Sequence, residues 1–138
     1  MVLPYISYCI HVWGLTANIY KDKIHRLQKK IVRIICGVPP RTHTNPLFTE
    51  LNIMTFCQLY EYFCGVFMFK LFHEKLPEIF TMFKRVSDLH SIETRQRQKC
   101  YVIPSTPTKR AEKNIKATGP KIWNYITITI ITITINFI

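Results

Sequence analysis

Apolar positions recur along most of this chain at helical spacing, and that pattern predicts a mainly α-helical protein. Residues 2–13 read as a short apolar helix, with Pro4 in its first turn and Gly14 at its end. Residues 18–36 give the clearest helix. Asn18 is suited to cap it and Asp22 lies near the positive end of its dipole. Gly37 and then Pro39-Pro40 form a strong stop. Asn45-Pro46 opens a short helix through Leu51, and Thr55-x-x-Gln58 has capping-box spacing ahead of a long apolar run. That run, Phe56 to about His73, is apolar nearly all round and so is expected to be buried on most sides. Gly65 within it implies a close backbone approach. Pro77 opens one more turn, ending near Phe83.

After Val86 the period is lost. Residues 87–112 are polar, basic and broken by Pro104 and Pro107, which predicts loops with one short strand at Cys100–Ile103. Lys109–Ile115 is a candidate short helix. Gly119-Pro120 reads as a turn, with a terminal helical turn from Lys121 to Tyr125 carrying Trp123. The last stretch, ITITIITITINFI, is low complexity, uncharged and high in β propensity. Its doubled Ile130-Ile131 switches face halfway, which an amphipathic strand would avoid. The expected organisation is a helical core region over 1–83, a basic loop-rich extension over 84–125, and an Ile/Thr tail over 126–138.

Charge changes the picture. Of 138 residues, 19 are Lys or Arg and 8 are Asp or Glu, a formal net charge of +11 that favours an anionic partner. The excess is segregated: residues 1–54 and 84–125 are basic, and they flank a near-neutral aromatic middle. On the 18–36 helix, about 100° per residue puts Ile24, Leu27, Ile31, Ile34 and Ile35 on one side. Lys23, Arg26, Lys29, Lys30 and Arg33 fall roughly opposite, with no acid expected among them. Five cations on one face suggest phosphate contacts; the plainer alternative is a solvated surface. Arg95, Arg97 and Lys99 begin a second basic cluster, continued by Lys109, Arg110, Lys113, Lys116 and Lys121. Tyr101 and Trp123 are interleaved there, available to stack on unpaired bases. For Trp123 a core anchor is the preferred alternative.

Candidate chemistry is sparse. Five cysteines, with no CxxC, fit a reduced intracellular protein better than a disulfide framework. Neither a signal peptide nor a transmembrane run is recognisable. Cys9, His11 and His73 lack partners at metal-ligand spacing, and the four glycines are scattered rather than gathered into a phosphate loop. The only aspartates, Asp22 and Asp88, stand apart, whereas two-metal nucleotidyl transfer needs converging acids. No enzymatic activity and no cofactor are expected of this chain alone.

Several pieces fall in a familiar order. They are Val2-Leu3-Pro4-Tyr5, Tyr8-Cys9, Val12-Trp13-Gly14 and Leu27-Gln28-Lys29-Lys30-Ile31-Val32-Arg33-Ile34-Ile35. There follow His43-Thr44, Pro46-Leu47-Phe48, Leu51-Asn52-Ile53, Phe67-Met68-Phe69-Lys70, Leu76-Pro77 and Phe80, then Thr94-Arg95 and Gly119-Pro120-Lys121-Ile122-Trp123-Asn124. In this spacing, over about residues 2–125, they resemble the segment after the palm in jockey-like non-LTR (LINE-type) retrotransposon reverse transcriptases. The resemblance implies thumb helices followed by a C-terminal extension, from an RNA-directed DNA polymerase whose palm and endonuclease are not in this sequence. It implies at most residual template–primer binding: RNA or DNA without sequence preference, no membrane, and the missing palm as a protein partner. The Ile/Thr repeat after Tyr125 departs from the family and suggests a degenerate copy starting at an internal methionine. The alternative function is a small helical protein that binds a protein partner or a membrane surface through its aromatic middle helix.

Overall fold

A computed structural model describes residues 3–14, 16–89, 99–112 and 114–136, and it is mainly helical. The chain divides into two compact units, Met1–Phe63 and Cys64–Ile138, with one long helix contributing its first half to one and its second half to the other.

In the first unit the opening helix is not continuous. Helix α1 (Leu3–Ser7) and helix α2 (Ile10–Trp13) are separated at Cys9, whose φ of 49° is left-handed. The Trp13 indole N–H donates to the Tyr8 carbonyl at 2.7 Å, taking an acceptor that an unbroken helix would give to Val12. The indole then stacks on Phe56 with centroids 5.0 Å apart. Helix α3 (Asn18–Ile35) follows. Ala17 rather than Asn18 occupies its N-cap position, so the expected Asn18 cap is not formed. Helix α4 (Asn45–Glu50) likewise starts one residue early, behind Thr44, with Pro46 in its first turn. Helix α5 (Phe56–Phe72) begins with the expected reciprocal cap: the Thr55 amide donates to Gln58 Oε1 at 2.9 Å, and the Gln58 amide to Thr55 Oγ1 at 3.5 Å.

Helices α3, α4 and α5 end the same way. Each passes into a left-handed residue, Gly37 (φ 62°), Asn52 (φ 52°) or Glu74 (φ 55°). The next amide then reaches back five residues: Val38 to Arg33, Ile53 to Phe48 and Lys75 to Lys70, at 2.9–3.1 Å. This double-bonded ending satisfies carbonyls that the helix leaves orphaned. The unit's core gathers Ile10, Val32, Phe48, Phe56, Leu59 and Tyr60.

In the second unit α5 buries Cys64 and Met68, while Phe67 meets the edges of Phe80 and Phe83 at 5.3 and 5.9 Å. The latter two flank and belong to a 3₁₀ turn, Glu78–Met82, which opens after Pro77 as expected. A second such turn spans Val86–Asp88. The expected strand at 100–103 is reduced to one isolated antiparallel bridge between Arg85 and Tyr101. Helix α6 (Lys109–Glu112) is shorter than expected, and helix α7 (Ile115–Asn136) is far longer.

Two expectations fail in α7. Gly119-Pro120 is not a turn, because both residues are buried inside the helix. A Cβ on Gly119 would stand 2.8 Å from Met68 Sδ, so glycine is what lets α7 close on that side chain. Close packing there offsets the backbone hydrogen bond that Pro120 removes. Nor does the Ile/Thr run form a strand. Ala117, Pro120 and Thr127 make a buried face at helical spacing, and propagation from a docked helix needs no new nucleus. Thr129 Oγ1 adds a bond to the Tyr125 carbonyl at 2.8 Å. Tertiary packing here overrides β propensity.

Helix α5 is less enclosed than its composition suggests: Cys57, Tyr62 and Phe69 are exposed beside Gln58, Glu61 and Lys70. Among the described residues, no helix is long and apolar enough to cross a membrane.

Gly65 also differs from expectation, since a Cβ there would meet only Ile126 Cδ1, at an ordinary 3.7 Å. The tight position in the first unit is Gly14, where a Cβ would strike the Ile10 carbonyl and the Tyr60 ring, the latter at 2.6 Å. Gly65→Ala should therefore stabilise the chain by about 0.5–1 kcal/mol through helix propensity. Gly14→Ala should destabilise it by about 1–3 kcal/mol through overpacking. Urea unfolding of the two variants beside the parent checks the opposite signs.

Candidate nucleic-acid interface

Helix α3 positions the predicted cations. Its buried residues are Gln28 and Val32, and Gln28 Oε1 accepts the Phe56 amide at 2.9 Å in the interior. His25 is on the same side, its ring lying over Phe48 with centroids 6.3 Å apart. With that side inward, Lys23, Arg26 and Lys30 are exposed, and Lys29 and Arg33 are half-buried. Among the described residues, no carboxylate forms an ion pair with any of the five.

The arc is not uniform. Arg33 Nε donates to the Thr42 carbonyl at 3.0 Å, so this side chain ties the loop after α3 back to the helix. Lys23 Nζ lies 5.5 Å from the centre of the Tyr20 ring, one turn earlier. Asp22, expected to serve only the helix start, is exposed one turn before Arg26, and about 100° per residue places it within the cationic arc. The face is therefore three open cations with Lys29 at its margin, moderated by one acid, rather than five unopposed charges.

Of the second cluster, Lys99, Lys116 and Lys121 are exposed. Arg95 and Arg97 lie outside the described residues, as does Lys113. Lys99 is exposed, but its carbonyl accepts the Trp123 indole N–H at 2.7 Å. Lys121 is paired with Glu112 at 2.8 Å. Arg85, which sequence reasoning passed over, packs over the Phe72 ring at 5.1 Å and donates to the Phe72 carbonyl at 3.3 Å.

Tyr101 is not available to stack on bases: it is 3% exposed. Asn124 clamps its backbone, accepting the Tyr101 amide at 2.9 Å and donating to the Tyr101 carbonyl at 2.8 Å. Burial raises the Tyr101 hydroxyl pKa, and the neighbouring Arg85 works the other way. Trp123 packs on Phe72 and Tyr101, with centroids at 5.4 and 6.4 Å, which is the core-anchor arrangement. Its i+1 neighbour Asn124, a residue suited to turns and caps, gave no sequence signal of its clamping role.

Burial pushes the Cys100 thiol pKa up, away from thiolate character, and the His11 imidazole pKa down, away from the charged form. Among the described residues, no three His, Cys, Asp or Glu side chains gather as metal ligands would. No family model matches the sequence, and comparison with curated proteins and with solved structures yields no match.

Trp123→Ala should cost about 2–4 kcal/mol of stability, somewhat less than a fully enclosed tryptophan, because the side chain is only partly buried. Affinity for single-stranded DNA, measured at a temperature where the variant is folded, should change no more than for any neutral substitution. A stable variant with selectively weaker single-strand binding would restore the stacking role.

Proposed function

We propose that this chain is a sequence-nonspecific nucleic-acid-binding module, the thumb-like and post-palm part of a non-LTR retrotransposon reverse transcriptase, contributing no catalytic group of its own. The observation that carries the binding reading is the outward arc of α3, where Lys23, Arg26 and Lys30 are exposed and free of ion pairs among the described residues. A rigid helix presenting three cations within two turns suits phosphates, which carry no sequence information themselves. The net charge of +11 adds attraction at longer range. The order of motifs along the chain supports the retroelement origin. The separation of Asp22 from Asp88, in different elements, supports a binding role rather than nucleotidyl transfer.

Binding should be steeply salt-dependent. With three to four phosphate contacts, log K should fall against log salt with a slope of about −2 to −4. Replacing Lys23, Arg26 and Lys30 together by Ala should flatten that slope by about two to three, with helicity retained because alanine favours helix. Arg33 is left in place because it anchors the loop at Thr42. The matched control removes three exposed cations elsewhere, Lys70, Lys75 and Lys84. Fluorescence anisotropy with a labelled oligonucleotide over a salt series makes the comparison. Equal losses in the two triple variants would mean nonspecific charge and no dedicated face.

A further inference from the structure

The apolar stripe of α3 is not the side that the first unit buries. Tyr20, Leu27 and Ile34 are 58, 60 and 69% exposed, while Ile24 and Ile31 between them are half-buried. The five follow one another at spacings of four, three, four and three residues, the seam of a coiled-coil helix. In heptad terms, Tyr20, Leu27 and Ile34 take d, and Ile24 and Ile31 take a. Lys23 and Lys30 then take both g positions along one border of the seam. On the other border, Lys21 lies over the Tyr60 ring, 5.4 Å from its centre, and Gln28 is turned into the interior. Beyond it the seam runs into a cleft of about 610 Å³ whose apolar lining includes Pro4, Ile6, Ile31, Ile35, Ile53 and Met54.

We propose that this seam docks an amphipathic helix of a partner protein, apolar along one stripe and acidic along its flank. Charge complementarity selects this occupant. The g positions are where a partner helix places its pairing charges, and here both are lysines with no carboxylate paired to them among the described residues. A second copy of α3 is disfavoured. Antiparallel pairing would set lysine against lysine, and parallel pairing would set each g lysine toward Gln28 or Ile35, neither of which is acidic. A bilayer fits less well than a helix, because the border opposite Lys23 and Lys30 is a concave cleft and its one cation, Lys21, is drawn over the Tyr60 ring at 5.4 Å. The proposal goes beyond nucleic-acid binding: the seam is apolar, whereas phosphate contacts need only the cations.

The probe is a synthetic peptide of about three heptads with Ile at a, Leu at d and Glu at e and g, against a second peptide with Lys at e and g. Titrated against the full chain, the Glu peptide should bind and the Lys peptide should bind about tenfold or more weakly. Leu27→Ser with Ile34→Ser, both at exposed sites, should weaken the Glu peptide about tenfold while leaving oligonucleotide binding unchanged. Independently, Lys23→Glu with Lys30→Glu should reverse the peptide preference, so the proposal stays testable if the serine variant folds poorly. Equal binding of the two peptides, or Glu-peptide binding unaffected by the serine pair, overturns it. So does a seam-dependent dimer of the chain alone in sedimentation. Seam-dependent pelleting with vesicles of one part phosphatidylserine to three of phosphatidylcholine, without peptide binding, overturns it in favour of a membrane.

Discussion

The first unit depends on one buried hydrogen bond, from the Phe56 amide to Gln28 Oε1 at 2.9 Å. Phe56 opens α5, and its amide is among those that a helix start leaves without a partner. Thr55 and Gln58 satisfy each other's amides at the same terminus, and Phe56 receives its acceptor from α3. Removing that acceptor would leave a buried donor unsatisfied, at about 1–3 kcal/mol. Gln28 must therefore face inward, with Val32 one turn later beside it. Fixing these two directions fixes the rotation of α3.

That rotation differs by about a quarter turn from the one its apolar residues alone would choose, at 100° per residue. The sequence pattern gathers Ile24, Leu27, Ile31, Ile34 and Ile35 on one side, yet Leu27, Ile34 and Ile35 are exposed. Hydrophobic patterning located the helix and its ends, including the stop at Gly37, but not its facing. The facing is settled by a long-range polar contact, between residues 28 positions apart, that no local period encodes. The same division recurs elsewhere. The Thr55–Gln58 cap and the turn after Pro77 were legible because their signals are local. The left-handed endings at Asn52 and Glu74, and the break at Cys9, were not. Glutamate and cysteine carry no preference for that conformation, and each is held there by surrounding bonds. The Ile/Thr tail misled for the opposite reason: its local β propensity is genuine, and docking of α7 outweighs it.

The candidate interface was legible in part. Lys23, Arg26 and Lys30 face outward as the pattern required, because they sit away from any plausible core direction. Tyr101 is closed under an Asn124 clamp and Arg33 Nε is committed to the Thr42 carbonyl, and in sequence neither looks different from a free side chain. On α3 the open cations and the open apolar seam meet along Lys23 and Lys30. A polyanion and an acidic helix would each use those two lysines, so the two kinds of ligand are expected to compete for the chain.

All of this follows from which side of α3 faces the interior. Hydroxyl-radical footprinting of the native chain reads that directly, residue by residue, from side-chain oxidation. Strong modification of Tyr20, Leu27 and Ile34 and protection of Val32 are expected, with Leu27 gaining only modestly on unfolding while Val32 rises sharply. Protection of Leu27 and Ile34 with ready oxidation of Val32 would mean that the apolar stripe is the buried face. The Gln28–Phe56 bond would then not be what sets α3, and the outward seam would not exist.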